Sequence, residues 1–385
     1  MTAYLDHAAT SPLRPEALAA MLPYLSEHFG NPSGSHAVAR RARAAVEEAR
    51  ESVAAVLAVE PGEVVFTSGG TESCNLAVLG AWRRRRGAVL CSALEHHAVL
   101  GACAATGSHC CVGARSDGTV DREDLAAKLH PGVALVSIML ANNETGVVQP
   151  LPTAISLVRE QAREALVHSD VVAAHAWPAW LEDAAGADLL SLAAHKLGGP
   201  KGVGVLVVRG GVALAPVLHG GPQERERRPG THDVAGIVGT AAALEAAACH
   251  GHEEHRRVTM LRRRLADGLA TVPGATVTGH GAGTYPGGGS EPPAVVPGTC
   301  HVRFAGVDQE ELLLLLDQEG VCASAGAACA SGALEPSHVL VAMGLSTSEA
   351  RSAVRFSLGW SSTERDVDEA LDVVPKAVAR LRRSA

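Results

Sequence analysis

The chain of 385 residues has few lysines and no long apolar run. Only four of its 33 basic residues are lysines (Lys128, Lys196, Lys201 and Lys376), so arginine carries nearly all of the positive charge. A chain with this bias is expected to keep lysine where chemistry needs a primary amine. No apolar stretch reaches the length of a membrane span, and the N-terminus lacks the pattern of a secretory signal. We therefore expect a cytoplasmic protein that does not bind membranes.

Paired cysteines and excess positive charge are also missing. The nine cysteines are odd in number and show no C-x-x-C spacing, which fits neither a disulfide framework nor a zinc site. We predict no bound metal. The net charge of −8 argues against a nucleic-acid partner. With 47% hydrophobic and 19% charged residues, the composition is that of a globular protein, and its length predicts a large domain with a smaller one.

Short apolar runs alternate with amphipathic stretches from about residue 64 onward. The predicted strands are 64–66, 88–91, 134–140, 165–167, 189–192 and 203–208, and the predicted helices include 71–82 and 153–164. This alternation predicts an α/β fold with a mainly parallel sheet covered on both faces. After a helical region at 238–270 and a Gly/Pro-rich loop at 279–298, the pattern indicates a smaller α+β domain. We assign 14–255 to the large domain, and 1–13 with 256–385 to the small one.

Polar residues follow the predicted strands at their carboxyl ends. They are Thr67–Thr71, Glu95-His96, Asn142-Asn143, Asp170 and His195-Lys196. Ligands of open α/β sheets bind at this edge. The convergence of five polar clusters on one edge predicts an enzyme.

Lys196 is the strongest single candidate for chemistry. It follows an apolar strand and precedes a Gly/Pro-rich loop in L-L-S-L-A-A-H-K-L-G-G-P-K-G-V-G (residues 189–204). A desolvated lysine amine at a sheet edge can form a Schiff base with a carbonyl cofactor. The turn at Thr67–Thr71 opens a helix, so it is either an anion cradle or only a tight turn with a cap. Together the two features suggest an aldehyde cofactor that carries a phosphate.

Four further residues are candidates, and the first three each have a functional and a structural interpretation. Asp170 either pairs with a protonated pyridine nitrogen or caps a helix. His96 either stacks on an aromatic ring and moves protons or has a structural role. Arg355, in an apolar strand, binds a substrate carboxylate or forms a salt bridge. Cys329 lies among small residues, where a thiol can be an exposed and mobile nucleophile.

The chain closely resembles the cysteine desulfurases, which are pyridoxal-phosphate enzymes of the class V aminotransferase group. The resemblance spans nearly the whole chain and rests on several specific blocks: Y-L-D-H-A-A-T-S-P (4–12), F-G-N-P-S (29–33), F-T-S-G-G-T-E-S-C-N (66–75), E-H-H-A-V-L (95–100), N-N-E-T-G-V-V-Q (142–149), A-H-K-L-G-G-P-K-G-V-G (194–204), H-G-G-P-Q-E-R (219–225), R-P-G-T (228–231) and R-F-S-L-G (355–359). The Cys329 region with E-P-S-H-V-L-V-A-M-G (335–344) is similar to the longer-loop subgroup, which serves iron–sulfur cluster assembly and tRNA thiolation.

The resemblance implies an aspartate aminotransferase-like fold (fold type I) and pyridoxal 5'-phosphate as the cofactor. Its implied cofactor residues are Lys196 for the Schiff base, Asp170 for the pyridine nitrogen, His96 for stacking, Gly70, Thr71 and His195 for the phosphate, and Asn143. Thr231 is implied to reach the phosphate from the second subunit of a homodimer.

The resemblance also implies the reaction and its partners. Asn143 and Arg355 would bind the α-carboxylate of L-cysteine. Cys329 would take the sulfur as a persulfide and leave L-alanine, and the sulfur would pass to an acceptor protein, either a scaffold or a thiolation enzyme.

Two positions depart from the family pattern, and they keep other functions open. Ala173 stands where the family usually has a glutamine that bonds to the ring hydroxyl, and Ala193 stands where it has a serine that bonds to the phosphate. Each loss removes a hydrogen bond worth about 0.5–1.5 kcal/mol net. His175 is a possible replacement for the glutamine. The alternatives are a pyridoxal-phosphate C–S or C–Se lyase on a related amino acid, and a non-catalytic paralogue that binds a sulfur-transfer partner.

Overall fold

A computed structural model describes residues 2–279, 293–326 and 336–384. The strands are β1 (Ala3–Tyr4), β2 (Val64–Thr67), β3 (Ala88–Ser92), β4 (His109–Val112), β5 (Val133–Ser137), β6 (Leu166–Asp170), β7 (Leu189–Ala193), β8 (Gly204–Val208), β9 (Ala275–Val277), β10 (Thr299–Phe304), β11 (Val321–Cys322) and β12 (Ala353–Ser357). The α-helices are α1 (Pro15–Ser26), α2 (Ala37–Leu57), α3 (Gly70–Arg84), α4 (His97–Ala104), α5 (Arg122–Lys128), α6 (Leu151–Gln161), α7 (Trp180–Asp183), α8 (Val234–Ala270), α9 (Gln309–Gln318), α10 (His338–Ala342), α11 (Thr347–Ala350) and α12 (Glu364–Ser384).

A seven-stranded sheet forms the centre of the larger part, in the order β2-β8-β7-β6-β5-β3-β4. The strands from β7 to β4 are parallel, and β8 is antiparallel to both of its neighbours. Alternate residues face opposite sides: Leu90 and Val136 belong to one apolar cluster, and Val89 and Leu135 to the other. The sequence correctly predicted a mainly parallel sheet that is covered on both faces. It did not predict that β8 runs antiparallel to its neighbours.

A second apolar core lies in the C-terminal part of the chain. It is built around the antiparallel sheet β12-β10-β9 and is covered by α9 and α12. Ala3 and Leu5 join this core because β1 pairs with β11. The proposed domain boundary between residues 255 and 256 falls inside the continuous helix α8, and it stays a prediction.

Helix α8 is apolar and packs against α1, α2 and α12. By length and composition alone it could cross a membrane, so the expectation that no segment reaches that length was wrong. Half of its most apolar window is buried inside the protein, as in a core helix.

Glu224 is a buried carboxylate that joins three segments. It receives two hydrogen bonds from Arg50 of α2 (2.8 and 2.9 Å), one from the Phe66 amide of β2 (2.9 Å), and contacts His232 Nε2 (2.7 Å). Burial opposes its ionisation, but His232 and Arg50 lower its pKa to about 2. This network holds the 219–233 loop, which contains Thr231, against the large sheet.

We expect Glu224→Gln to lower the free energy of unfolding by about 3–5 kcal/mol at neutral pH, because it removes the buried carboxylate that pairs with Arg50 and leaves only the more exposed Glu47 as an ionic partner. The pKa of Glu224 is lower in the folded state than in the unfolded state. The contribution of ionised Glu224 to the free energy of unfolding is therefore complete above pH 4.5, and it is lost as the pH falls toward 2. Urea unfolding at fixed protein concentration measures the difference. The exposed Glu51→Gln serves as the control, and an equal effect of both changes would contradict the prediction.

Candidate active site

Asp170 and Lys196 follow neighbouring parallel strands. Asp170 is the last residue of β6, and it is paired in register with Ser191 of β7. β7 ends at Ala193, and one 3-10 turn, Ala194–Lys196, follows it. The Lys196 amine donates to the carbonyls of Ala8 and Ala9, the latter at 2.8 Å. The sheet edge thus presents a carboxylate and an amine side by side, as the sequence predicted.

The Asp170 carboxylate is buried and bonded by neutral donors. Oδ1 accepts from the Val172 amide at 2.9 Å, and Oδ2 accepts from the Cys74 thiol at 3.6 Å. Burial raises the pKa of Asp170, while His96, these two donors and Lys196 partly offset the rise. The helix-cap interpretation fails, because the next α-helix begins ten residues later, at Trp180.

His168, two residues before Asp170, was not singled out from the sequence. Its ring nitrogens contact Ser137 Oγ of β5 (2.8 Å) and Ser191 Oγ of β7 (2.9 Å), so it links three strands below the site. Burial lowers its pKa to about 3. The sequence could have indicated this role, because a histidine in the middle of a central strand is buried and its imidazole needs polar partners on both sides.

His96 caps the helix that follows the end of β3. Its Nδ1 accepts a hydrogen bond from the Ala98 amide at 3.1 Å, which fixes the ring. Burial lowers the pKa of His96, and Asp170 acts in the opposite direction. With Nδ1 used by the cap, the neutral ring carries its proton on Nε2. His96 therefore has a structural role and also lies near Asp170 and Lys196.

The turn before α3 provides a helix N-terminus at the same edge. Gly69 has φ = 150°, a conformation that favours glycine, and Ser68 and Thr71 are exposed. A Cβ on Gly70 would lie 3.0 Å from Val172 and 3.4 Å from Ala193, so this turn packs on the ends of β6 and β7. The free amides of a helix N-terminus attract anions.

His195 directly precedes Lys196 in the 3-10 turn that follows β7. Its Nδ1 contacts Thr10 Oγ1 at 3.2 Å. Burial, then Lys196 and Lys201, lower its pKa to about 4, so the ring is neutral at pH 7.

Arg355 and Asn143 lie together at the interface with the second core. The Arg355 side chain is 2% exposed, forms a salt bridge with Asp6 (2.7 Å) and donates to the Asn143 carbonyl (2.7 Å). Its buried Nε has no hydrogen-bond partner within residues 2–279, 293–326 and 336–384. The salt bridge foreseen as the alternative is present, and one nitrogen is left over for a ligand.

A cavity of about 420 Å³ opens beside Lys196. Asn143, Ala173, His175 and Trp360 are among its lining residues. Nδ1 of His175 contacts the Val172 carbonyl at 3.3 Å, and burial lowers its pKa to about 4. Its replacement of the family glutamine stays a hypothesis.

Two candidate residues are not brought into this site. Thr231 is exposed in the loop before α8, where neighbouring Arg228 pairs with Glu72 of α3. Its role from a second subunit stays a prediction. Cys329 lies outside the described residues.

Comparisons with known proteins agree with this architecture. The family model described as Aminotransferase class-V matches residues 3–370. The chain is 42% identical to an IscS-like cysteine desulfurase of Mycobacterium tuberculosis, over all of this chain and 98% of that protein. It is similar to the solved structure of a NifS-like protein (TM-score 0.88, 33% identity, 99% of this chain and 100% of that chain). It is also similar to a structure described as SspA in complex with cysteine (TM-score 0.77, 30% identity, 94% of this chain and 100% of that chain).

We expect the free energy of unfolding to fall as the pH drops from 6.5 toward 3, partly through His168. The pKa of His168 is lower in the folded state than the unfolded value near 6.5. The stabilisation by neutral His168 is therefore present above pH 6.5 and is lost between pH 6.5 and 3. His168→Gln removes the titrating group and should flatten the pH dependence measured by urea unfolding. The exposed His219→Gln is the control, and an unchanged slope in His168→Gln would refute the role of His168.

Proposed function

Because this chain belongs to the aminotransferase class-V family and is a cysteine desulfurase, we propose that it holds pyridoxal phosphate where Lys196, Asp170 and His96 meet. The family is pyridoxal-phosphate dependent, and its fold is the α/β fold with a mainly parallel central sheet. We further propose L-cysteine as the substrate, an acceptor protein for the sulfur, and a cytoplasmic location.

One observation carries the cofactor proposal. Asp170 is a buried carboxylate whose two hydrogen bonds come from an amide and a thiol, and an amine lies beside it at the edge of the sheet. A protonated ring nitrogen would give Asp170 a cationic partner. The residues present therefore fit the cofactor.

Each residue has a distinct task in the proposed reaction. When bound, pyridoxal phosphate supplies an aldehyde for amines and an electron-withdrawing ring that stabilises negative charge on a bound amino acid. Lys196 would hold it covalently, Asp170 would keep its ring nitrogen protonated, and His96 would lie against the ring. Gly70 and Thr71 at the helix N-terminus and neutral His195 would hold the phosphate.

Other residues would bind the substrate carboxylate and accept the sulfur. Arg355 would bind the carboxylate through its unused Nε, beside Asn143. The Cys329 thiol would take the sulfur atom, so that L-cysteine and the thiol yield L-alanine and a persulfide. Ala173 and Ala193 would each withhold one hydrogen bond from the cofactor, while the residues named for its covalent attachment, ring nitrogen and stacking are all present.

An apolar face on α1 supports the proposal of a homodimer. Leu18, Leu22 and Leu25 recur at helical spacing and are 47%, 55% and 63% exposed, and Phe29 beyond the helix is 77% exposed. Contiguous exposed apolar side chains mark interaction surfaces. A second copy on this face would also be the source of the incoming Thr231.

We expect the protein loaded with pyridoxal phosphate to release alanine and sulfide in equal amounts from L-cysteine and a thiol reductant. Cys329→Ser should lower this turnover by about 100-fold or more, because the sulfur acceptor is lost. The exposed Cys110→Ser is the matched control and should retain activity. Pyruvate in place of alanine, or full activity of Cys329→Ser, would favour a lyase over a desulfurase.

Leu22→Glu should convert the dimer to a monomer in sedimentation experiments, because a charge in an apolar interface is costly to desolvate. Leu314→Glu on α9, a leucine of similar exposure (60%), should stay dimeric. A dimeric Leu22→Glu would exclude this face as the interface.

A further inference from the structure

The N-terminal segment 6–11 contacts three of the groups that the proposed reaction uses. Asp6 pairs with Arg355, the carbonyls of Ala8 and Ala9 accept from Lys196, and Thr10 contacts His195. The segment is itself held by β12, through bonds from the His7 amide to the Ser357 carbonyl and from the Ala8 amide to Ser357 Oγ (2.8 Å). Asp6 is the charged member of this segment, and its contact bears most directly on the substrate.

Two of the three guanidinium nitrogens of Arg355 donate hydrogen bonds to the protein. Nη2 donates to Asp6 Oδ1 at 2.7 Å, and Nη1 donates to the carbonyls of Asn143 (2.7 Å) and Gly326 (3.4 Å). Among the described residues, Nε has no partner and Nη2 uses one of its two N–H groups. Glu144 also lies close enough to interact with Arg355 electrostatically, but its Oε2 is bonded by the Ser337 hydroxyl. Asp6 is thus the carboxylate that directly balances the charge of Arg355.

A carboxylate binds arginine best through two adjacent nitrogens. Nη1 is occupied by the carbonyls of Asn143 and Gly326, so the pair open to a second carboxylate is Nε with the remaining N–H of Nη2, the nitrogen that also binds Asp6. A second carboxylate on this guanidinium would share one positive charge with Asp6 in a buried site, and like charges at such distances repel strongly.

We propose that Asp6 is a resident competitor for Arg355 and sets the affinity of the enzyme for the α-carboxylate of its substrate. An incoming carboxylate would bind Nε and the second N–H of Nη2, and it would compete with Asp6 for the single positive charge of Arg355. Asp6 acts through Arg355 and is a positioning residue. This inference rests on the proposed function, because it takes Arg355 as the substrate site.

The test compares two ligands that differ only in the carboxylate. The wild-type protein and Asp6→Asn, both loaded with pyridoxal phosphate, are titrated with L-alanine and with ethylamine, and dissociation constants are read from the visible absorption. Asp6→Asn should bind L-alanine about tenfold more tightly, because the competing charge is gone. Binding of ethylamine should not change. Asp6→Glu keeps the charge and should resemble the wild type.

A second readout separates competition from a merely structural role. Without a partner, Arg355 is a buried charge, so the thermal midpoint of Asp6→Asn should fall and L-alanine should raise it more than in the wild type. Asp308→Asn, which removes the more exposed salt bridge to Arg351 in the second core, is the control and should change neither measurement.

Equal or weaker binding of L-alanine by Asp6→Asn would overturn the inference. So would an equal gain for ethylamine, since that ligand has no carboxylate. The proposed function fails by a separate result, namely a wild-type protein that forms no alanine from L-cysteine.

Discussion

The site depends on the parallel pairing of β6 and β7. Because the two strands run in the same direction, Asp170 and the turn that bears Lys196 leave the sheet at one edge. His168 holds this pairing from below by bonding to Ser137 and Ser191 on the flanking strands. A carboxylate and an amine, each partly desolvated, are thereby held beside each other without a flexible loop between the sheet and either group.

Arg355 and the N-terminal segment reach this edge from the second core. Arg355 lies on β12, and the N-terminal segment crosses from β1 to the sheet edge, where its carbonyls hold the Lys196 amine. The cofactor side of the site is therefore built by the large sheet, and Arg355 on the substrate side comes from the smaller core and meets Asn143 of the large-sheet part. Asp6 connects the two, because it belongs to the crossing segment and pairs with the arginine of the smaller core.

The sequence predicted much of this arrangement from periodicity. The predicted strands at 88–91, 189–192 and 203–208 agree with β3, β7 and β8 to within one residue at each end, since continuous apolar runs with clear boundaries define them. The reversal of β8 was missed because a fully buried strand reads the same in either direction. The Asp6–Arg355 pair joins residues that are 349 positions apart, and no local sequence pattern predicts such a contact. The cap formed by His96 was missed because histidine is an unusual residue at that position.

The central claim is a covalent bond between the Lys196 amine and the aldehyde of the cofactor. Borohydride reduction of the loaded protein, followed by peptide mass spectrometry, tests it most directly. The account predicts a cofactor-derived mass on the peptide that contains Lys196, with the fragment spectrum placing it on that residue. A reduced protein in which Lys196 is unmodified, or in which Lys201 carries the mass instead, would contradict it.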